Sequence, residues 1–212
     1  MSRVRLAAGI VGPVLFTVAT VVQGAVRPHF DPVRHLISDL ALTSQGWLQT
    51  ANFVVTGILV VVFATGLRRT IRDGPASAWG PRWIALAGLA LVAAGLFTTD
   101  PGPDYPPGAT PTTSWHGILH QIAGPLVFVS LSVTAFVYAR RVARGWAVAA
   151  GILVALCFLV TDVLVTLAYS GTWPDAPAGL FESAALYIGL AWLTTLAIRT
   201  LRRPPATATR PG

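Results

Sequence analysis

Two histidines four residues apart stand at the start of a long apolar segment, in the stretch Ser114-Trp-His116-Gly-Ile-Leu-His120. Ser114 is a favourable helix N-cap, because its hydroxyl can accept a hydrogen bond from a free backbone N–H of the first turn. A helix that begins here places His116 and His120 on one face, about one turn apart. Two imidazoles in this arrangement can bind a metal, relay protons or hold a polar core together.

A second group of polar residues lies in the segment from residue 27 to residue 40. Asp31 followed by Pro32 predicts a helix start, with the acid as N-cap and the proline at the first helical position. On that helix, His35 and Asp39 form an i,i+4 pair and Ser38 lies beside them. We therefore expect a short interfacial helix with one polar edge.

Three further acids stand at the ends of apolar segments or inside them. Asp100 closes one segment, where the helix macrodipole disfavours a carboxylate, so we expect it to have a specific partner. Asp162 lies inside another segment, where an ionisable group is a functional candidate and where Arg34 or a histidine is the expected partner. Glu182 opens the last segment, a position that favours an acid for structural reasons alone.

The elements that must position these residues are membrane-spanning helices. Hydrophobic residues make up 54% of the 212 residues and charged residues only 11%, against about 25% in a soluble domain. The mean hydropathy is +0.66. Six apolar segments are near the ~20 residues that cross a bilayer, and the sequence therefore predicts an all-α bundle of six transmembrane helices at about 6–26, 47–67, 83–99, 117–138, 146–169 and 180–199.

The arginines predict how these helices are oriented. All 15 basic residues are Arg, and 13 of them fall before span 1, between spans 2 and 3, between spans 4 and 5, or after span 6. Positive residues concentrate in cytoplasmic loops, so both termini are expected in the cytoplasm and the chain in the cell membrane. The formal charge of +7 then needs no nucleic-acid partner. We expect one membrane domain over 1–203 and a disordered cytoplasmic tail over 204–212.

The opposite, outer side holds all four histidines and seven of the eight acids. The loop after Asp100 is rich in proline and glycine and is expected to cover this side. The residues that we expect to converge beneath it, as candidate metal ligands, are His35, Asp39, Asp100, His116 and His120. Three imidazole nitrogens and one carboxylate oxygen suit zinc, and the candidate catalytic residues for activating water or substrate are Ser38, Asp39 and Asp162.

Three functions fit this pattern, and the sequence leaves open whether the chain is an enzyme. The first is a lipid-interacting or accessory membrane protein, with a lipid or small-molecule ligand at the outer pocket. The second is a zinc-dependent membrane hydrolase. Its residues are loosely similar to those of the ceramidase and adiponectin-receptor type, which combine an H-x-x-x-H helix with Ser, Asp and His from other spans. The third is a proton-coupled transporter that uses Asp162.

Four segments, DPVRHLISDLAL, GWLQTANFVVTGIL, TTDPGPDYPPG and HGILHQIAGPLVF, resemble the bacterial six-span membrane proteins of domain of unknown function 998. The resemblance covers residues 5 to 203 and implies six spans, but it implies no activity. A more distant similarity to Frag1-type membrane proteins favours the lipid-interacting function. Gln121 departs from the family pattern, which often has an acid after the second histidine. The matching residues are Asp31, His35, Ser38, Asp39, Asn52, Asp100, His116 and His120.

Overall fold

A computed structural model of the chain describes residues 2–202, and within these residues the protein is all-α without β-strands. The predicted tail over 204–212 lies outside the described residues. The helices are α1 (Ser2–Val26), a 3-10 helix (Ile37–Ala41), α2 (Trp47–Thr70), α3 (Pro75–Leu96), α4 (Trp115–Tyr138), α5 (Arg144–Tyr169) and α6 (Ala178–Leu201).

The six predicted spans are confirmed as helices long and apolar enough to cross a membrane. They contain 22 to 26 residues, and about 20 suffice for the ~30 Å hydrocarbon layer. The largest difference in a boundary is at α3, which begins at Pro75 rather than near residue 83. Pro81 interrupts the sequence pattern, but it lies in the second turn, where the helix continues past it.

The helices form a ring in which each packs against its neighbours in sequence, and α6 closes the ring against α1. The large side chains buried in its interior include Phe63, Tyr138 and Trp192. Within its most apolar window, α5 is only 28% buried, against 44 to 50% for the other five spans. The structure therefore leaves α5 as the helix most exposed to lipid.

Glycines allow α2 and α3 to approach each other closely. A Cβ atom built on Gly57 would lie 2.5 Å from the carbonyl oxygen of Gly88, and one on Gly88 would lie 2.6 Å from that of Gly57. Helices in lipid associate through such small residues, because close backbone packing replaces the hydrophobic effect. This contact makes the α2–α3 pair a tightly packed wall of the bundle.

Loop 1 (27–46) differs from the predicted helix that starts at Asp31. A helix that starts at Asp31 would form a series of backbone hydrogen bonds between residues four apart. Only the first of these is present, from His35 N to Asp31 O (2.8 Å). The Asp31 N–H donates to Nδ1 of His35 (2.9 Å), and the Leu36 N–H donates to Oδ2 of Asp39 (2.8 Å). These side-chain bonds compete with a regular helix, so a turn leads into the 3-10 helix and His35 and Asp39 are not an i,i+4 helical pair.

Candidate functional site

The two histidines of α4 bind the end of α3. Nδ1 of His116 lies 2.9 Å from Thr98 O, and Nδ1 of His120 lies 2.8 Å from Phe97 O and 3.0 Å from Ala94 O. Because a carbonyl oxygen can only accept, Nδ1 must carry the proton in both rings. The last carbonyls of a helix lack intrahelical partners, and His120 satisfies those of Ala94 and Phe97 at the end of α3, while His116 satisfies that of Thr98 in the loop that follows.

Asp100 makes the reciprocal connection to the start of α4. Its Oδ2 accepts from Ser114 N (2.8 Å), its Oδ1 accepts from Ser114 Oγ (2.6 Å), and Ser114 Oγ accepts from Gly117 N (3.0 Å). The predicted N-cap role of Ser114 is thus confirmed. The hydroxyl of Ser114, its backbone N–H and then the two nearby histidines lower the pKa of Asp100, while burial opposes them.

We call the bonds made by Asp100, Ser114, His116 and His120 the α3–α4 clasp. It gives Asp100 the partner that its position required: a carboxylate unfavourable at the end of α3 is favourable at the start of α4. The loop from residue 101 to residue 113 leaves the end of α3 and returns beside it, and so brings the two helix ends together.

A cavity of about 120 Å³ lies beneath loop 3 (97–114), between loop 1, α4, α5, loop 5 (170–177) and the start of α6. Four of the five predicted metal ligands line it, and His116 does not. The two other candidate catalytic residues also line it. The predicted residues that this pocket brings together are His35, Ser38, Asp39, Asp100, His120 and Asp162.

Asp39 is a buried acid at the pocket wall, with 8% of its surface exposed. Burial raises its pKa to about 8, because the carboxylate loses water. The hydrogen bond from Leu36 N lowers the pKa, and the negative charges of Glu182 and Asp104 raise it further. Asp39 makes no ion pair with a described residue.

Glu182, in the first turns of α6, lies close to Asp39. Its Oε2 accepts from Ile37 N (2.6 Å), while Asp39 accepts from the preceding N–H of Leu36. The two carboxyl groups therefore hold consecutive backbone N–H groups of loop 1. A single acid at the start of a span was the only sequence signal for Glu182, and nothing in the sequence placed it opposite loop 1.

Arg34 joins the three loops that surround the pocket. Its guanidinium pairs with Asp104 of loop 3 and with Asp175 of loop 5, the latter at 2.7 Å. The prediction that Arg34 or a histidine pairs with Asp162 is wrong for the described residues, because Asp162 makes no ion pair there. Asp162 is exposed and lines the pocket from α5.

The rings of His35 in loop 1 and Tyr105 in loop 3 line the pocket. The ring centroids of His35 and Tyr105 lie 4.8 Å apart, and Phe30 packs against both. Nδ1 of His35 accepts a hydrogen bond, so its proton is on Nε2, which lies 3.4 Å from Asp104 Oδ2. The Tyr105 hydroxyl is buried and makes no hydrogen bond within the described residues, and its pKa is raised, chiefly by burial.

The lower part of the pocket is a largely apolar groove between α4 and α5, to which Thr161 and Asp162 of α5 add polar groups. Gly124 and Pro125 line it from α4, and Val165 lines it from α5. Phe128 and Phe158 stack across its lower end, with ring centroids 4.6 Å apart and planes at 15°. The site therefore combines a polar chamber under the loops with an apolar groove between two membrane helices.

The predicted zinc site has no three-donor arrangement to support it. No group of three or more His, Cys, Asp or Glu side chains that could hold a metal ion occurs within residues 2–202. His116 binds Thr98 O in the clasp and does not line the pocket. Three acids, Asp100, Asp39 and Glu182, accept hydrogen bonds from backbone N–H groups. Zinc binding stays a prediction, and the described geometry does not favour it.

The family model described as "Protein of unknown function (DUF998)" matches residues 10–199. The matched region includes parts of all six membrane helices and all the residues of the pocket. No curated protein and no solved structure matches the chain.

Proposed function

The chain belongs to the DUF998 family of proteins of unknown function, and we propose that it binds a membrane amphiphile. In this proposal the polar head of the ligand enters the chamber beneath loop 3, and its apolar part lies in the groove between α4 and α5. Six candidate spans make the chain a multi-pass membrane protein, so a ligand dissolved in the bilayer meets this groove directly.

One observation carries the proposal: polar and apolar surfaces follow each other along a single pocket. Asp39, His120 and Glu182 line its upper part, and Phe128 and Phe158 line its lower end, with Val165 and Asp162 between them on α5. An amphiphile in a bilayer has the same order of groups along the membrane normal. Charged side chains inside membrane proteins are costly and mark ligand or ion sites more often than surface ones do.

The dimensions of the pocket limit the ligand. The whole pocket, chamber and groove together, has a volume of about 120 Å³, which equals roughly four water volumes of ~30 Å³ each, so its chamber suits only a small head group. From His120 to the stacked Phe128, α4 rises about 12 Å, at ~1.5 Å per residue. One short stretch of a single hydrocarbon chain fills that length, and the rest of the chain extends into the bilayer.

The proposal places the pocket on the outer face of the cell membrane. Arginines flank the opposite end of the bundle, where Arg68 and Arg69 end α2 and Arg199 lies in the last turn of α6. The positive-inside rule assigns that end and both termini to the cytoplasm. The 3-10 helix of loop 1 then lies near the outer interface, and residues 1–203 act as one membrane domain.

Matched tryptophan substitutions on α5 test the proposal. Val165 lines the groove, whereas Val163 is 58% exposed on the same helix and does not line the pocket. We expect lipids to copurify with the wild-type protein, and we expect Val165→Trp to fill the groove and remove them. Val163→Trp should keep them, because its side chain points away from the groove. Native mass spectrometry of protein released from detergent micelles counts these adducts.

The comparison is informative only between folded proteins, so each variant must elute as one species in size-exclusion chromatography and unfold at a temperature close to the wild type. Equal lipid adducts on wild type, Val163→Trp and Val165→Trp would overturn the proposal, because the bound lipid would then lie elsewhere on the surface.

A further inference from the structure

We propose that the head group recognised by this pocket is a protonated amine, held between Asp39 and Glu182. The inference rests on the proposed amphiphile binding and names its ligand class. A primary ammonium group carries one positive charge and three N–H donors, and it is small enough for a cavity of about 120 Å³.

The two acids lack the cation that their positions require. Each carboxyl uses one oxygen to accept a backbone N–H, Asp39 from Leu36 and Glu182 from Ile37. The other oxygen of each carboxyl makes no hydrogen bond with the described residues. An ionised acid taken out of water is costly unless it is paired. A bound ammonium supplies both the opposite charge and the missing donors.

Among the described residues, the one arginine that lines the pocket is already committed. Arg34 lines the pocket, but its guanidinium pairs with Asp104 and Asp175 at the rim. The chamber therefore holds two acids that no described side chain pairs with. Burial favours their protonated form, and a bound cation would favour the ionised form instead. Ionised carboxylates would repel phosphate and sulfate head groups, and a neutral alcohol would bring no positive charge to stabilise them.

A second, independent feature also requires a ligand. Tyr105 lines the pocket and is only 1% exposed, yet its hydroxyl makes no hydrogen bond within the described residues. Its oxygen can accept the third N–H of a primary ammonium. The ring of Tyr105, which is tilted by 38° against that of His35, also offers an aromatic face, and aromatic faces attract cations.

A pair of probes with the same hydrocarbon chain tests the inference. Dodecylamine and dodecanol differ only in the head group, and the amine is protonated at pH 7. Each is added to the full chain in dodecyl maltoside micelles, and native mass spectrometry measures the fraction of protein with one adduct. We expect wild-type protein to bind the amine at least tenfold more tightly than the alcohol.

Three isosteric variants complete the experiment. Asp39→Asn and Glu182→Gln keep an oxygen for the backbone N–H groups of loop 1, so they remove charge with little change of shape. Asp175→Asn is the control, because Asp175 is an exposed acid at the rim that does not line the pocket. We expect the first two variants to weaken dodecylamine binding at least tenfold and the control to change it less than twofold.

The outcomes separate the inference from the proposed function. Equal binding of amine and alcohol, lost in Val165→Trp, would overturn the amine inference and leave amphiphile binding in place. Binding of neither probe, or binding that Val165→Trp does not change, would overturn both. Tight amine binding that Asp39→Asn and Glu182→Gln leave unchanged would also refute the inference, because the amine would then be held at another site of the protein.

Discussion

Replacing Gly117 with alanine should break the α3–α4 clasp. A Cβ atom built on Gly117 lies 1.9 Å from Asp100 Oδ2 and 2.4 Å from its Cγ. Non-bonded heavy atoms pack at about 3.5–4.0 Å, so the carboxylate must move by more than ~1 Å. That shift breaks the 2.8 Å and 2.6 Å bonds from Ser114 to Asp100, because the helix backbone that carries the new methyl group cannot move away.

The expected cost follows from these bonds. A hydrogen bond to a charged group contributes about 1.5–3 kcal/mol, and water replaces part of this contribution because Asp100 is not fully buried. Alanine in a helix is favoured over glycine by about 1 kcal/mol. We therefore expect Gly117→Ala to lower the free energy of unfolding by about 1–3 kcal/mol, measured by denaturant titration in detergent micelles with tryptophan fluorescence.

Gly145→Ala is the matched control. Gly145 lies in the first turn of α5, and a Cβ atom there has no heavy atom within 4 Å, so the variant should be as stable as the wild type or more stable. A second test uses Asp100→Ala as the background, in which Gly117→Ala should no longer destabilise, because coupled residues are not additive. The reasoning is refuted if Gly117→Ala matches Gly145→Ala in stability, or if its cost persists without Asp100.

Two further predictions concern loop 1. The pKa of Asp39 is about 8 in the folded protein and about 3.9 in an unfolded chain. Between these two values, Asp39 is protonated in the folded state and ionised in the unfolded state. The stability that this protonation contributes is complete below pH ~4 and is lost as the pH rises through 8, by at most ~1.4 kcal/mol per pH unit. Asp39→Asn should flatten this part of the stability profile between pH 5 and pH 8 in denaturant titrations, and an unchanged slope would assign it to another group. A Cβ atom on Gly179 lies 2.1 Å from His35 O and 2.9 Å from Pro32 O, so Gly179→Ala should push loop 1 away from α6. We expect a loss of about 2 kcal/mol or more in the same assay, and a wild-type value would show that loop 1 adjusts without cost.

The sequence predicted those features that depend on local pattern. The six spans follow from apolar length, and the N-cap of α4 follows from Ser114 immediately before an apolar run. The accompanying prediction that Asp100 needs a partner was also local, because it used only the position of a carboxylate at a helix end. These features need no knowledge of which helices are neighbours.

The remaining features depend on contacts between distant segments. The carbonyls that bind His116 and His120 belong to the end of α3, and the loop that brings them there has no regular pattern. The side-chain bonds of His35 and Asp39 replaced a helix that the Asp31-Pro32 signal predicted. Glu182 reaches the pocket only because α6 closes the ring against α1 and loop 1.

The α3–α4 clasp joins helix ends rather than helix faces, and this has a mechanical consequence. Sliding α4 along α3 by one turn, about 5.4 Å, would break the bonds of His116, His120 and Asp100 in the same movement. Under a pulling force, the two helices should therefore leave the bilayer as one unit, in a single rupture. Helix α4, which the clasp holds against the end of α3, is therefore a stiff wall of the pocket, and α5, with its sparse packing, is the side that we expect to yield to the proposed ligand.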